Sequence, residues 1–330
     1  MTAEHHPTPA PAAIAAPAAS ALTPAASGNR AADDAAAARA LLTLLCRPRR
    51  RRIDRSQLAP LLPPPTGWGS LLHHAIEHKL VCVLAEALTH ADLTEHVPTR
   101  VMRHLHGVWR ANQHKTHLYR AEAAKITHAC REIRFAACGG IAAESTLYGG
   151  SGTRQLSDID LLVTRADLDR TRDLLTELGY QAGARGTLIR STGDLVLPTV
   201  HVDVTTQLPG DPRVDDPASH HLVGALLSRR AHQPIPGHPT PLPVLTPADA
   251  YPAALLRLAA PPKTAAGHPL SLFADAAHLH HPHTSTTPRA EAGWPHLIDP
   301  LWALLHEVLE RGSATLGHTL FDQPAQAPRT

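Results

Sequence analysis

Two aspartates one residue apart, in Asp158-Ile-Asp160-Leu-Leu-Val163, are the residues best placed to do chemistry in this chain. On a strand successive side chains alternate faces, so Asp158 and Asp160 share one face while Ile159, Leu161 and Val163 turn to the core. The run Val200-His-Val202-Asp203-Val204-Thr205 repeats the alternation, with the valines on one side and His201, Asp203 and Thr205 on the other. If the two strands are neighbours, three carboxylates surround one pocket. Like charges so placed repel unless a cation joins them, and hard oxygen donors suit Mg²⁺ or Mn²⁺. Asp158, Asp160 and Asp203 are therefore predicted as metal-binding and catalytic, in a site where two ions about 4 Å apart clamp an in-line phosphoryl displacement. Asp-hydrophobe-Asp alone is a common exposed-strand pattern. The capped helix that follows it, and the second strand bearing His-Val-Asp, make it specific.

A triphosphate also needs hydrogen-bond donors. Gly139-Gly140 lies between a predicted strand, Phe135 to Cys138, and a predicted helix, Ile141 to Tyr148, where backbone N–H groups at a helix start can cradle phosphate. Gly149, Gly150 and Ser151 compete for that role. Arg154 has the planar fork that grips phosphate oxygens, and an equal claim to an ion pair that orders its loop. Ser157, beside the first aspartate, is a further nucleotide-binding candidate. His201 either touches nucleotide or sits on the pleat. His278, His280, His281 and His283 lie near prolines in a chain with 25 histidines, a composition that argues against a dedicated transition-metal site. Asp275 reads as a buried carboxylate paired with an arginine.

The elements that must position these groups fall into three stretches. Residues 1–32 are mostly Ala, Pro, Ser and Thr and read as a disordered tail. Residues 33–134 read as helical: one helix from Asp33 to Cys46, one carrying Trp68 to Leu88 with Thr66 as its N-cap, and a long one from Pro98 to about Arg134. The intervening run Arg47-Pro-Arg-Arg-Arg-Arg52 has no aromatic residues to stack bases and reads as a solvated connector. Residues 135–208 carry short apolar runs divided by Gly and Pro, the texture of a small α+β core. Thr164 with Asp167 starts a helix that Gly179 ends. Residues 209–320 read as Pro-rich loop and then helices, including Ser271 to Leu279 and Trp294 to Arg311, before a polar tail over 321–330.

Composition excludes several classes. Formal charge is +2, so no global field draws nucleic acid or an anionic membrane. No apolar run is long enough for a membrane span, and no basic-then-apolar leader opens the chain. Cys46, Cys82, Cys130 and Cys138 form no CxxC pair, which fits reduced thiols in a cytoplasmic protein. Lysine is scarce: Lys79, Lys115, Lys125 and Lys263 are all there are, beside abundant arginine.

From Trp68 to about His318 the chain resembles the uncharacterised bacterial nucleotidyltransferase family of the DNA polymerase β-like superfamily. The resemblance rests on Trp68-Gly-Ser-Leu-Leu-His-His-Ala75, Val97-Pro98, Cys138-Gly139-Gly140 in place of Leu-Lys-Gly, Tyr148, Arg154, Asp158 to Val163 and Leu178-Gly179-Tyr180. Val202-Asp203-Val204-Thr205-Thr206 stands in place of Ile-Asp-Leu-His-Trp. It implies an α+β palm, a mixed sheet with flanking helices, between N-terminal and C-terminal helical regions. It further implies transfer of a nucleoside monophosphate, AMP foremost, from a nucleoside triphosphate with Mg²⁺ or Mn²⁺, and carries the catalytic roles onto Asp158, Asp160 and Asp203. Gly139 and Gly140 become the phosphate-binding turn. The acceptor would be a hydroxyl or phosphate of a small natural product, a peptide or an RNA end. Glycine at 139 removes the motif lysine, so a nucleotide-binding or partner-binding protein with a retired site is the first rival, and a toxin-like transferase acting on tRNA the second.

Overall fold

The computed structural model describes residues 24–47, 53–260 and 268–279. The tail over 1–23, residues 48–52 of the basic run, His280 to His283, the helix expected over 294–311 and the tail over 321–330 lie outside the described residues.

The N-terminal helices are α1 (Pro24–Leu45), α2 (Arg55–Leu58), α3 (Trp68–Glu77), α4 (Val81–His90) and α5 (Thr99–Ala129). Two of them depart from expectation. α1 begins at Pro24 rather than Asp33, because the Ala-rich stretch ahead of Asp33 favours helix and proline is tolerated in a first turn. The single helix expected over Trp68 to Leu88 is two. Leu80 N–H bonds back to Ala75 O at 2.8 Å and Lys79 N–H to Ile76 O at 3.1 Å, which closes α3 with Lys79 in the left-handed region at φ 55°. Glycine normally fills that position, as Gly179 does in the same bonding pattern further on. A lysine there is strained by roughly 1–2 kcal/mol.

The sheet strands are β1 (Phe135–Cys138), β2 (Ile159–Val163), β3 (Gln181–Ala182), β4 (Leu188–Ser191), β5 (Thr199–Thr205), β6 (Ala231–Gln233) and β7 (Leu242–Val244). Their helices are α6 (Gly139–Thr146), α7 (Leu168–Glu177), α8 (Pro217–Ser228), α9 (Pro247–Ala259) and α10 (Leu270–Leu279). One mixed sheet results, in the order β3-β4-β5-β2-β1-β7-β6. β2 runs antiparallel to β1 and parallel to β5, so it sits near the middle of the sheet with both faces covered. On one face Ile159, Leu161, Val163, Val200 and Val202 pack with Tyr119, Ile126 and Leu175 from α5 and α7. On the other, Ala136 and Leu162 pack with Leu222, Leu226, Leu255 and Leu256 from α8 and α9. β6 and β7 come from the stretch read as Pro-rich loop, so the sheet extends past residue 208. Each has only three residues and β7 contains Pro243, too little for a period-two signal; pairing with β1 supplies what the pattern lacks.

A third core joins α1, α3, α4 and the first half of α5 to Leu270 and Ala274 of α10. α5 and α10 therefore touch both the helical region and the sheet's surroundings, and together they hold the loop that delivers Asp158. Fully buried Glu144 of α6 accepts the N–H groups of Gly152 (2.7 Å) and Arg154 (2.9 Å). Asn112 of α5 donates to the carbonyls of the same two residues at 2.6 and 3.1 Å, and Tyr119 Oη donates to Ser157 O at 2.7 Å. Arg154 turns inward, its Nε and Nη2 on the Asp275 carboxylate of α10 at 3.0–3.1 Å, where Tyr148 Oη also donates at 3.0 Å. The phosphate-gripping role considered for Arg154 thus gives way to the ordering ion pair, because its donors are spent on Asp275 and on Gln155 O (2.9 Å).

Both members of that pair are buried, so removing one strands a charge. Asp275→Ala is expected to lower stability in urea unfolding by roughly 3–5 kcal/mol, and Arg154→Met combined with Asp275→Leu to recover most of it. A loss below about 1 kcal/mol for Asp275→Ala would contradict the clamp.

Candidate active site

The register fixes the site. Cys138 of β1 lies opposite Asp160 of β2, which lies opposite Asp203 of β5, and these strand positions form one row across the sheet. Asp160 shares its face with Leu162, so the row opens toward α9. Asp158 leaves the clamped loop just before β2. Oxygens of Asp158, Asp160 and Asp203 all lie within 4.8 Å of one another, and all three residues keep some solvent access. The expected convergence of the three carboxylates is present in the fold, set by the parallel pairing of β2 with β5.

Two side chains steady the acids. Arg257 Nη1 reaches Asp160 Oδ2 at 2.9 Å, and the Thr187 hydroxyl donates to Asp203 Oδ1 at 2.6 Å. Burial raises the Asp160 carboxyl above its ordinary range, Asp158 and Asp203 push it the same way, and Arg257 opposes them. Burial, with Asp160 beside it, holds the Cys138 thiol up at about 12. Asp158 and Asp203 have no salt bridge to any described residue, so among the described residues Arg257 makes the one direct ion pair with the three acids. An all-oxygen donor set of this kind suits a hard divalent cation. Among the described residues it is the one such cluster.

Gly139 starts α6 beside this row, at φ 62°, and a Cβ there would strike the Asp160 carboxylate and the Arg257 guanidinium. Glycine accepts this left-handed backbone and lets the helix start come this close to the acids as they stand. The competing loop lies against α5: a Cβ at Gly150 would meet Arg120, and Gln113 Nε2 donates to Ser151 O at 3.3 Å. Ser157 is exposed at the end of the clamped loop, its carbonyl taken by Tyr119. His201 shares the face of Asp203 and its Nε2 lies 3.3 Å from Thr199 Oγ1. His278 tilts on Tyr148 and reaches Arg47 O at 3.1 Å, a structural setting.

Several site residues gave no local sequence signal. Thr187 and Arg257 are ordinary until the register and α9 bring them to the acids. Lys79 and Lys115 lie within Coulombic reach of Asp158. Their one available clue was scarcity, two of four lysines in the chain.

A mixed sheet flanked by helices, with three carboxylates gathered where β2 begins, defines a protein of the nucleotidyltransferase class. A family model described as an uncharacterised nucleotidyltransferase matches residues 64–287, more than half of the chain, and the protein belongs to that family. A search of curated proteins returns no match. No described helix is long and apolar enough to cross a membrane.

Thr187 holds Asp203 and touches no other carboxylate of the set. Thr187→Val is therefore expected to weaken Mn²⁺ binding about 10- to 100-fold in a titration followed by electron paramagnetic resonance, with unfolding temperature little changed. Unaltered Mn²⁺ affinity would show that the hydroxyl does not orient the site.

Proposed function

We propose that the protein transfers a nucleoside monophosphate from a nucleoside triphosphate, ATP being the first donor to test, to a hydroxyl or phosphate of an acceptor molecule. The observation that carries this reading is the meeting of Asp158, Asp160 and Asp203 at the start of β2. Nothing in sheet packing requires three acids to meet, and their mutual repulsion opposes it. A divalent cation held by these aspartates would neutralise triphosphate charge and acidify the acceptor hydroxyl.

The chain's own groups account for the rest. The acceptor oxygen attacks the α-phosphorus, the bond from that phosphorus to the bridging oxygen breaks, and pyrophosphate leaves. Asp203, oriented by Thr187, is the residue placed to take the acceptor's proton. The orphan N–H groups in the first turn of α6 face phosphate oxygens beside Gly139 and Gly140. Arg257 balances Asp160 before substrate arrives.

An apolar pocket beside the acids narrows the acceptor. Gly139, Asp160 and Arg257 line one part of it, and Ala142, Leu208 and Ala254 are among its nonpolar walls. A polyanionic RNA end gains little from such walls, whereas the nonpolar part of a small molecule or peptide is stabilised by them. The four described cysteines are free, which suits reaction in the cytoplasm.

The test uses each α-labelled nucleoside triphosphate with Mg²⁺ or Mn²⁺ and a cell extract as acceptor source. Label transfer by the wild type and its loss in Asp160→Ala is the expected outcome. A folded wild type that shows no Mg²⁺-dependent nucleotide binding by calorimetry would sink the proposal and favour a retired site.

A further inference from the structure

The cations around the acids are not equally occupied. Arg154 is spent on Asp275 and Arg257 on Asp160. Of the three described lysines, Lys125 pairs with Glu122 at 2.8 Å. Lys79 and Lys115 are half-buried, make no salt bridge with a described residue, and both lie within Coulombic reach of Asp158. They arrive from different directions. Lys79 projects from the break between α3 and α4, in the left-handed position that glycine normally takes, and the carbonyl before it accepts Ser271 N–H of α10 at 3.2 Å. Lys115 projects from α5 with its Nζ 5.7 Å from the centroid of the Tyr119 ring, whose hydroxyl holds Ser157 next to Asp158.

From this placement we infer that Lys79 and Lys115 bind the β- and γ-phosphates of the donor triphosphate, supplying from the helical region the charge that Gly139 lacks. The inference rests on the nucleotidyl-transfer reading of the aspartates. An ammonium half-removed from water and without an ion-pair partner is disfavoured unless an anion joins it. Burial accordingly lowers the Lys79 pKa, Arg154 adds to the effect, and Asp158 opposes it. With a divalent cation on the aspartates, the partner left for two lysines is a polyanion spanning the site. The two lysines are positioning groups: they hold the leaving pyrophosphate and do not touch the attacking oxygen.

The experiment is calorimetric titration of the full chain with inorganic tripolyphosphate, with and without Mg²⁺, for the wild type, Lys79→Asn and Lys115→Met. Asparagine accepts left-handed backbone, so Lys79→Asn keeps the turn, and thermal unfolding verifies that both variants fold. Each substitution is expected to weaken binding about tenfold, the loss of one charge-assisted contact, and Lys79→Arg and Lys115→Arg to restore much of it. Wild-type affinity in both charge-removing variants, or no tripolyphosphate binding by the wild type under either condition, overturns the inference. Lysine-dependent binding in a protein that takes up no Mn²⁺ would uphold the anion site and count against the transferase reading alone.

Discussion

Mutual repulsion among Asp158, Asp160 and Asp203 is the constraint on which this structure turns. Oxygens within 4.8 Å of one another cannot all carry charge without help, and among the described residues Arg257 makes the one direct ion pair with them. The rest of the palm is arranged to keep the acids together despite that cost. Parallel pairing of β2 with β5 puts Asp160 opposite Asp203, apolar residues above and below lock the register, and a slip of one residue would turn the acids into the core.

The same constraint explains why the loop before Asp158 is tied so heavily. A carboxylate repelled by two others needs a rigid support, and a loop is ordinarily the least rigid part of a fold. Here Glu144 and Asn112 hold the backbone of Gly152 and Arg154, the buried Arg154–Asp275 pair anchors the Arg154 side chain, and Tyr119 holds Ser157. Those supports come from α6, α5 and α10. Two of these helices also pack in the N-terminal helical core, so the helices that surround the palm are part of the site's construction.

How much of this was legible in the sequence follows from the range of each interaction. β1 and β2 and the Thr164-capped helix were readable because alternation and capping are local, and so were the three aspartates and their common face. The division at Lys79 was not, since the stop signal is normally glycine and a lysine conceals it. β6 and β7 are too short to show a period and exist through pairing with β1. Arg154 carried two readings that only its neighbours could separate, and Asp275, 121 residues away, decided between them. Thr187 and Arg257 needed the register and the α9 approach, which no local pattern encodes.

Whether these aspartates form a divalent-cation site serving a nucleotide is decided by Mn²⁺ titration with a non-hydrolysable ATP analogue, followed by electron paramagnetic resonance. The wild type is expected to take up Mn²⁺ more tightly when the analogue is present, and Asp203→Asn to lose that uptake while remaining folded. Wild-type protein that binds no Mn²⁺ with or without the analogue, or Asp203→Asn that binds it as well as the wild type, would contradict the claim.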